Sequence, residues 1–258
     1  MALRDRSLAQ LSSSSKTIRD FGEQWLRYPA NEGYYASVKL LGDILGPLLS
    51  LSAIENCRAA DIGSGTGRIV NMLLDAGARE VVAIEPSAAF ELLKRNTSDR
   101  AGRILYIHGV GEELPCDPPV DLVSSIGVLH HVERPQPIVG AAYRALQPGG
   151  RMVIWLYGRE GNEAYLRLVE PLRRVTTRLP HAMLAWLAHA LNLGLDLYLV
   201  ACRLFPLPLR GYVMQVLSKF SREQRFLAVY DQLNPEFAKY YTASEARELL
   251  ESAGFADV

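Results

Sequence analysis

Apolar and polar positions alternate between two periods over residues 59–157. Short apolar runs of strand type at 59–62, 80–84, 104–108, 121–125 and 152–157 are separated by helical spacing at 67–76, 88–97 and 137–146. Gly77 follows the first helical stretch and Pro148-Gly149-Gly150 closes the third, both ordinary stop signals. Strands alternating with helices predict an α/β fold, a parallel sheet covered by helices on both faces. In such sheets ligands sit at the carboxyl ends of the strands.

Outside that region the rhythm changes. Residues 1–16 are polar and serine-rich, predicting a flexible tail without the apolar run of a signal peptide. Residues 17–28 place Phe21, Trp25 and Tyr28 on one helical face, where they either pack on the main domain or close over its pocket. A loop at 29–33 leads into a second helix running from Tyr34-Tyr35 to about Leu49. Residues 158–241 read as helical, and 182–204 are apolar over a membrane-crossing length. Asp196 near the middle, with His189 and Arg203, predicts a buried helix of an inserted cap, with interfacial membrane contact as the alternative. Thr242-Ala243-Ser244-Glu245 is a capping box opening a last helix that Gly254 ends, and 255–258 read as the start of a further strand. The expected organisation is a tail (1–16), N-terminal helices and core (17–157), a helical insertion (158–241), and a last helix with the start of a strand (242–258).

Composition narrows this picture a little. The 258 residues, 49% hydrophobic and 22% charged, suit one large domain or a domain with a sizeable insertion. Lys+Arg and Asp+Glu both total 28, and without a basic stripe this predicts a chain that does not act on nucleic acid. Cys57, Cys116 and Cys202 are widely spaced and form no metal pattern, predicting reduced, buried thiols, a cytoplasmic setting and no bound metal.

The candidate chemistry starts at Ala59-Ala60-Asp61-Ile62-Gly63-Ser64-Gly65-Thr66-Gly67, a strand running into a glycine turn that opens a helix. Alternate glycines let the backbone turn sharply and approach a ligand where a Cβ would collide. Such a turn suits an adenosine-bearing cofactor without saying which. The second strand leads into Glu85 and Pro86, and a carboxylate at Glu85 can accept hydrogen bonds from both ribose hydroxyls. The third strand leads into Gly109-Val110-Gly111-Glu112-Glu113-Leu114-Pro115, the fourth into Ile126-Gly127-Val128-Leu129-His130-His131, and Leu146-Gln147-Pro148-Gly149-Gly150 precedes the fifth.

In that order these motifs resemble the class I S-adenosylmethionine-dependent methyltransferases, closely over 55–157 and loosely over 240–258. The resemblance implies a Rossmann-like, doubly wound, mostly parallel sheet with a helical cap after strand five, and S-adenosylmethionine as cofactor. It implies that Asp61 and the turn Gly63, Ser64, Gly65, Thr66 and Gly67 hold the methionine part, that Glu85 and Pro86 border the ribose, and that Val110, Gly111 and Glu112 border the adenine. Ile126 and Gly127 would lie beside the cofactor. The family often has an acid at the position of Val110, so here backbone, water or Glu112 takes that contact. The family's two C-terminal strands are missing or truncated, so strand five is expected to be an edge that is covered, paired or exposed.

Two other readings stay open. A nicotinamide-dependent oxidoreductase usually carries G-x-G-x-x-G, whereas this turn is G-x-G-x-G. A methyltransferase-like protein that binds the cofactor without chemistry would keep the same loop. For methyl transfer to oxygen or nitrogen by in-line displacement, His131 is the candidate general base, with the alternative that it bonds a loop carbonyl; His130 beside it is the second candidate. Tyr34 and Tyr35 are candidates for a substrate wall. An Asn-Pro-Pro-Tyr motif is missing after strand four, pointing to a small-molecule acceptor. The Leu, Trp, Tyr and Phe of 158–241 suggest an apolar or amphipathic one, with Arg173, Arg174 and Arg178 able to meet an acidic group. The expected assembly is a monomer or homodimer.

Overall fold

A computed structural model describes residues 8–258. Strands β1 (Arg58–Ile62), β2 (Glu80–Ile84), β3 (Ile104–Ile107), β4 (Val120–Ile126) and β5 (Leu146–Trp155) form one parallel sheet in the order β3-β2-β1-β4-β5. Helices α1 (Leu8–Arg27) and α2 (Val38–Leu45) precede it, and α3 (Arg68–Asp75), α4 (Phe90–Asn96) and α5 (Gln136–Ala145) connect strands. Then come α6 (Glu163–Thr176), α7 (His181–Leu204), α8 (Arg210–Gln215), α9 (Arg222–Leu233) and α10 (Ala243–Glu251). Among the described residues, 8–162 together with 237–258 form one compact unit, and 163–236 form another.

Ala59, Ala60, Val81, Val82, Ala83 and Ile84 are fully buried, as expected of central parallel strands covered on both faces. The chain steps outward from β1 to β3 and returns to β4 on the other side of β1. The strand order therefore reverses between β1 and β4, and a crevice opens beyond their carboxyl ends.

Three elements depart from the sequence pattern. Helix α1 begins at Leu8, inside the stretch expected to be a tail; residues 1–7 of that stretch lie outside the described residues. Strand β5 begins at Leu146 rather than Met152. Leu146 pairs with Val120 and Arg151 with Leu122, so residues 147–150 form a bulge within β5, and α5 has already ended at Ala145. Residues 255–258 form no strand. Instead the Phe255 ring meets Tyr143 edge-on at 5.1 Å, and β5 is the sheet's edge. The capping box opens α10 as expected: Glu245 N–H donates to Thr242 Oγ1 at 3.1 Å, and Thr242 N–H to Glu245 Oε2 at 2.9 Å.

In the unit 163–236, α7 is not the buried helix that its apolar text suggested. Leu184, Ala188, Asn192, Leu199 and Cys202 are buried, and His189 stacks on Phe226 of α9 at 4.1 Å. Less than a quarter of its most apolar stretch is covered. The helix is apolar around most of its circumference, and neighbours cover one side.

Candidate active site

The site begins where β1 ends. Gly63, Gly65 and Gly67 all have positive φ (76°, 52° and 83°), a region that costs other residues energy. At Gly63 a Cβ would also lie 2.5 Å from Val128 Cγ2, so this turn and the one after β4 can touch only through a glycine. Gly63 and Ser64 N–H both donate to Ile84 O, at 2.9 and 3.1 Å, tying the turn to β2.

Glu85, buried at the end of β2, is the second tie. Its Oε2 accepts Gly65 N–H at 2.8 Å and its Oε1 accepts Ser87 N–H at 2.9 Å. Each carboxylate oxygen has a further lone pair, so Glu85 can hold the turn and still accept a ligand hydroxyl.

Asp61 is 1% exposed; Ser124 Oγ donates to its Oδ1 at 2.7 Å. Its Oδ2 has no hydrogen-bond partner among the described residues. Burial pushes the carboxyl up to about 6, against the opposing Ser124 hydrogen bond and the Arg68 charge; Glu85 adds to the rise. A buried acceptor oxygen without a donor fits a ligand that brings an ammonium.

A cavity of about 220 Å³ lies over these groups, far more than the ~30 Å³ share of one water. Gly63, Ser64, Gly65, Thr66, Glu85, Pro86, Val110, Gly111, Glu112, Ile126, Gly127 and His131 all border it. Asp61, Gly67 and His130 are not among its lining residues. Val110 spends both backbone groups on Glu113: its N–H donates to Oε2 at 3.1 Å and its O accepts Glu113 N–H at 2.9 Å. The Val110 N–H is thereby occupied, and Gly111 and Glu112 border the cavity beside it.

Helix α1 covers the other side with Thr17, Ile18, Phe21 and Trp25. Gly22 lets it sit down, since a Cβ there would lie 3.0 Å from Ser87 Cβ. The loop after α1 is pinned to the glycine turn by a reciprocal pair: Asn31 Nδ2 donates to Thr66 O at 2.9 Å, and Thr66 Oγ1 to Asn31 Oδ1 at 2.7 Å. The aromatic spacing at 21 and 25 was visible in the sequence. Thr17, Ile18, Val128, Val132 and Ile138, which also line the cavity, gave no signal there.

His131 Nδ1 is 2.9 Å from Phe237 O, and its ring lies 4.8 Å from Phe21. A carbonyl can only accept, so Nδ1 carries the proton and Nε2 is the basic nitrogen. His130 is fully buried, with its ring 3.8 Å from Tyr157. Tyr34 and Tyr35 are not brought to the cavity. Tyr34 OH donates to Asp43, while Tyr35 O accepts Arg68 Nη1 at 3.2 Å and its ring lies 4.2 Å from the Arg68 guanidinium. Tyr35 thus positions Arg68, which borders the cavity.

A parallel sheet with this strand order, a glycine turn after β1 and an acid ending β2 has a Rossmann-like, doubly wound fold. Residues 60–154 match the family model described as a methyltransferase domain. Two curated relatives are tRNA U34 carboxymethyltransferases. That of Shewanella halifaxensis is 33% identical over 117 residues, 44% of this chain and 35% of the relative. That of Shewanella amazonensis is 36% identical over 108 residues, 40% of this chain and 32% of the relative. The chain therefore spans about a third of the length of these relatives. A solved SAM-dependent methyltransferase of Thermotoga maritima is 17% identical with a TM-score of 0.47, covering 91% of this chain and 76% of that one.

These relatives overturn the expectation that nucleic acid plays no part. Proteins named for a tRNA nucleotide share a third of their residues with this chain over the matched stretch. The expectation failed because net charge is a whole-chain sum and says nothing of local excess.

Proposed function

We propose that the chain transfers a methyl group from S-adenosylmethionine to a small apolar or amphipathic acceptor. The observation that carries this reading is the convergence of the glycine turn, Glu85 and His131 on one cavity at the ends of β1, β2 and β4. When bound, the cofactor supplies a methyl group already activated on a sulfonium. Asp61 and Glu85 would hold its charged and hydroxyl-bearing parts. Ile18, Phe21 and Trp25 exclude water from the cavity and favour an apolar acceptor. His131, with Nδ1–H directed to Phe237 O, leaves Nε2 to take the acceptor's proton. Cys57, Cys116 and Cys202 are free thiols, Cys116 exposed rather than buried as expected, and their being unpaired supports a cytoplasmic setting.

The second reading is a tRNA acceptor, favoured by the named relatives. Calorimetric titration with S-adenosylhomocysteine, with NADH as control ligand, tests the cofactor; binding of NADH alone would overturn the methyltransferase reading. Transfer of labelled methyl from S-adenosylmethionine into total tRNA or into a small-molecule extract then separates the acceptors. Label in tRNA alone would replace the first reading with the second.

A further inference from the structure

The unit 163–236 carries a surface that the methyltransferase site does not use. Along α7, Met183, Trp186, Ala190, Leu193, Leu197, Val200 and Leu204 recur at alternating spacings of three and four and are all exposed. Such spacing puts them on one helical face. Trp186, Leu197 and Leu204 are 71%, 68% and 71% exposed, and the apolar surface continues through Phe205, Leu209 and Tyr212. No charged residue falls within the stripe. Contiguous exposed apolar surface of this kind marks an interaction site.

Charge is segregated around it. Residues 171–219 contain six basic residues, Arg173, Arg174, Arg178, Arg203, Arg210 and Lys219, against the single acid Asp196, in a chain of zero net charge. Asp196 is neutralised within the unit: its Oδ1 accepts Arg225 Nη2 at 2.7 Å and its Oδ2 lies 3.0 Å from Arg222 Nε. Arg174, Arg178 and Arg203 are exposed.

We propose that this unit docks on an anionic phospholipid surface, with α7 lying in the interface plane. The helix is long and apolar enough to cross a bilayer. Its other face, however, is committed to α9 through the Asp196 ion pairs and Asn192 Nδ2, which donates to Arg222 O at 2.9 Å. Spanning would carry those charges into hydrocarbon. A second copy on the same face would bring two basic segments together, which like-charge repulsion disfavours. RNA would find aliphatic side chains without donors along the stripe, whereas an anionic membrane surface offers both the apolar layer and the counter-charge. The inference stands independently of the proposed methyl transfer.

The test is sedimentation of the full chain with sucrose-loaded vesicles of phosphatidylcholine alone or mixed with phosphatidylglycerol. Binding should need phosphatidylglycerol, weaken with salt, and fall at least about tenfold in the double variant Leu193→Glu/Leu197→Glu. That variant replaces exposed side chains, so its circular dichroism melt should match the parent. Brominated lipid should quench parent emission, and Trp186→Phe should remove that quenching. Absence of vesicle binding by the folded parent would overturn the proposal. So would resistance to carbonate extraction, a dimer that the double variant dissociates, or RNA binding lost with the arginines but not with the leucines.

Discussion

Asp61→Asn offers a quantitative test of how the cofactor pocket is built. The Asp61 carboxyl moves from 3.8 to about 6 because burial disfavours its charge. The folded state therefore holds the proton more tightly than the unfolded chain. Its stabilising contribution is complete below pH 3.8 and is lost as pH rises through about 6. A difference of roughly two pH units corresponds to ~3 kcal/mol of stability forgone once the group is ionised. Asparagine stays neutral and can still accept from Ser124. Arg68 and Glu85, the charged groups that bear on Asp61, are unchanged in the variant. Urea unfolding of both proteins without cofactor should show the asparagine variant gaining on the parent by ~2 kcal/mol between about pH 4.5 and 8. Taking the change with pH cancels any fixed cost of the new amide. A stability difference that stays flat over that range would refute a buried carboxylate whose Oδ2 lacks a donor.

Four further outcomes follow from the same geometry. S-adenosylhomocysteine affinity should fall as pH drops below about 6 in the parent and become nearly flat in Asp61→Asn, read by calorimetry. Glu85→Ala removes the acceptor of two backbone N–H groups as well as a ligand contact, so affinity should drop about 100-fold, worth ~2–3 kcal/mol. Gly63→Ala, at φ 76° and against Val128, should cost more than ~1 kcal/mol in urea unfolding. His131→Asn should keep S-adenosylhomocysteine binding while lowering kcat by ~10²-fold or more on a hydroxyl acceptor and flattening the acidic limb of the pH–rate profile.

The sheet was legible because its strands are short, apolar and bounded by glycine. The 80–84 run was read with the bounds that β2 has, since it enters from Gly77 and leaves at an acid. The start of β5 at Leu146 is hidden because Pro148-Gly149-Gly150 has the local signature of a helix stop but lies in a bulge of the strand. The cavity floor was legible because it lies in the turns themselves. Its roof was not: helical spacing shows that Phe21 and Trp25 share a face, but not that the face meets Gly65 and His131. The tyrosine pair failed for the same reason, because Asp43 and Arg68 engage Tyr34 and Tyr35 from other parts of the chain.

The seating of α1 also bears on timing. Trp25 stands over Gly65, Gly22 fits against Ser87, and the Asn31–Thr66 pair fastens the end of the helix. Whatever enters or leaves the cavity on that side must wait for a helix to lift and its latch to open. Exchange is then governed by an opening rate, and spent cofactor should dwell long enough to compete with fresh cofactor for the protein. Cutting the Asn31–Thr66 pair would shorten the dwell while leaving every group that touches the reacting atoms in place.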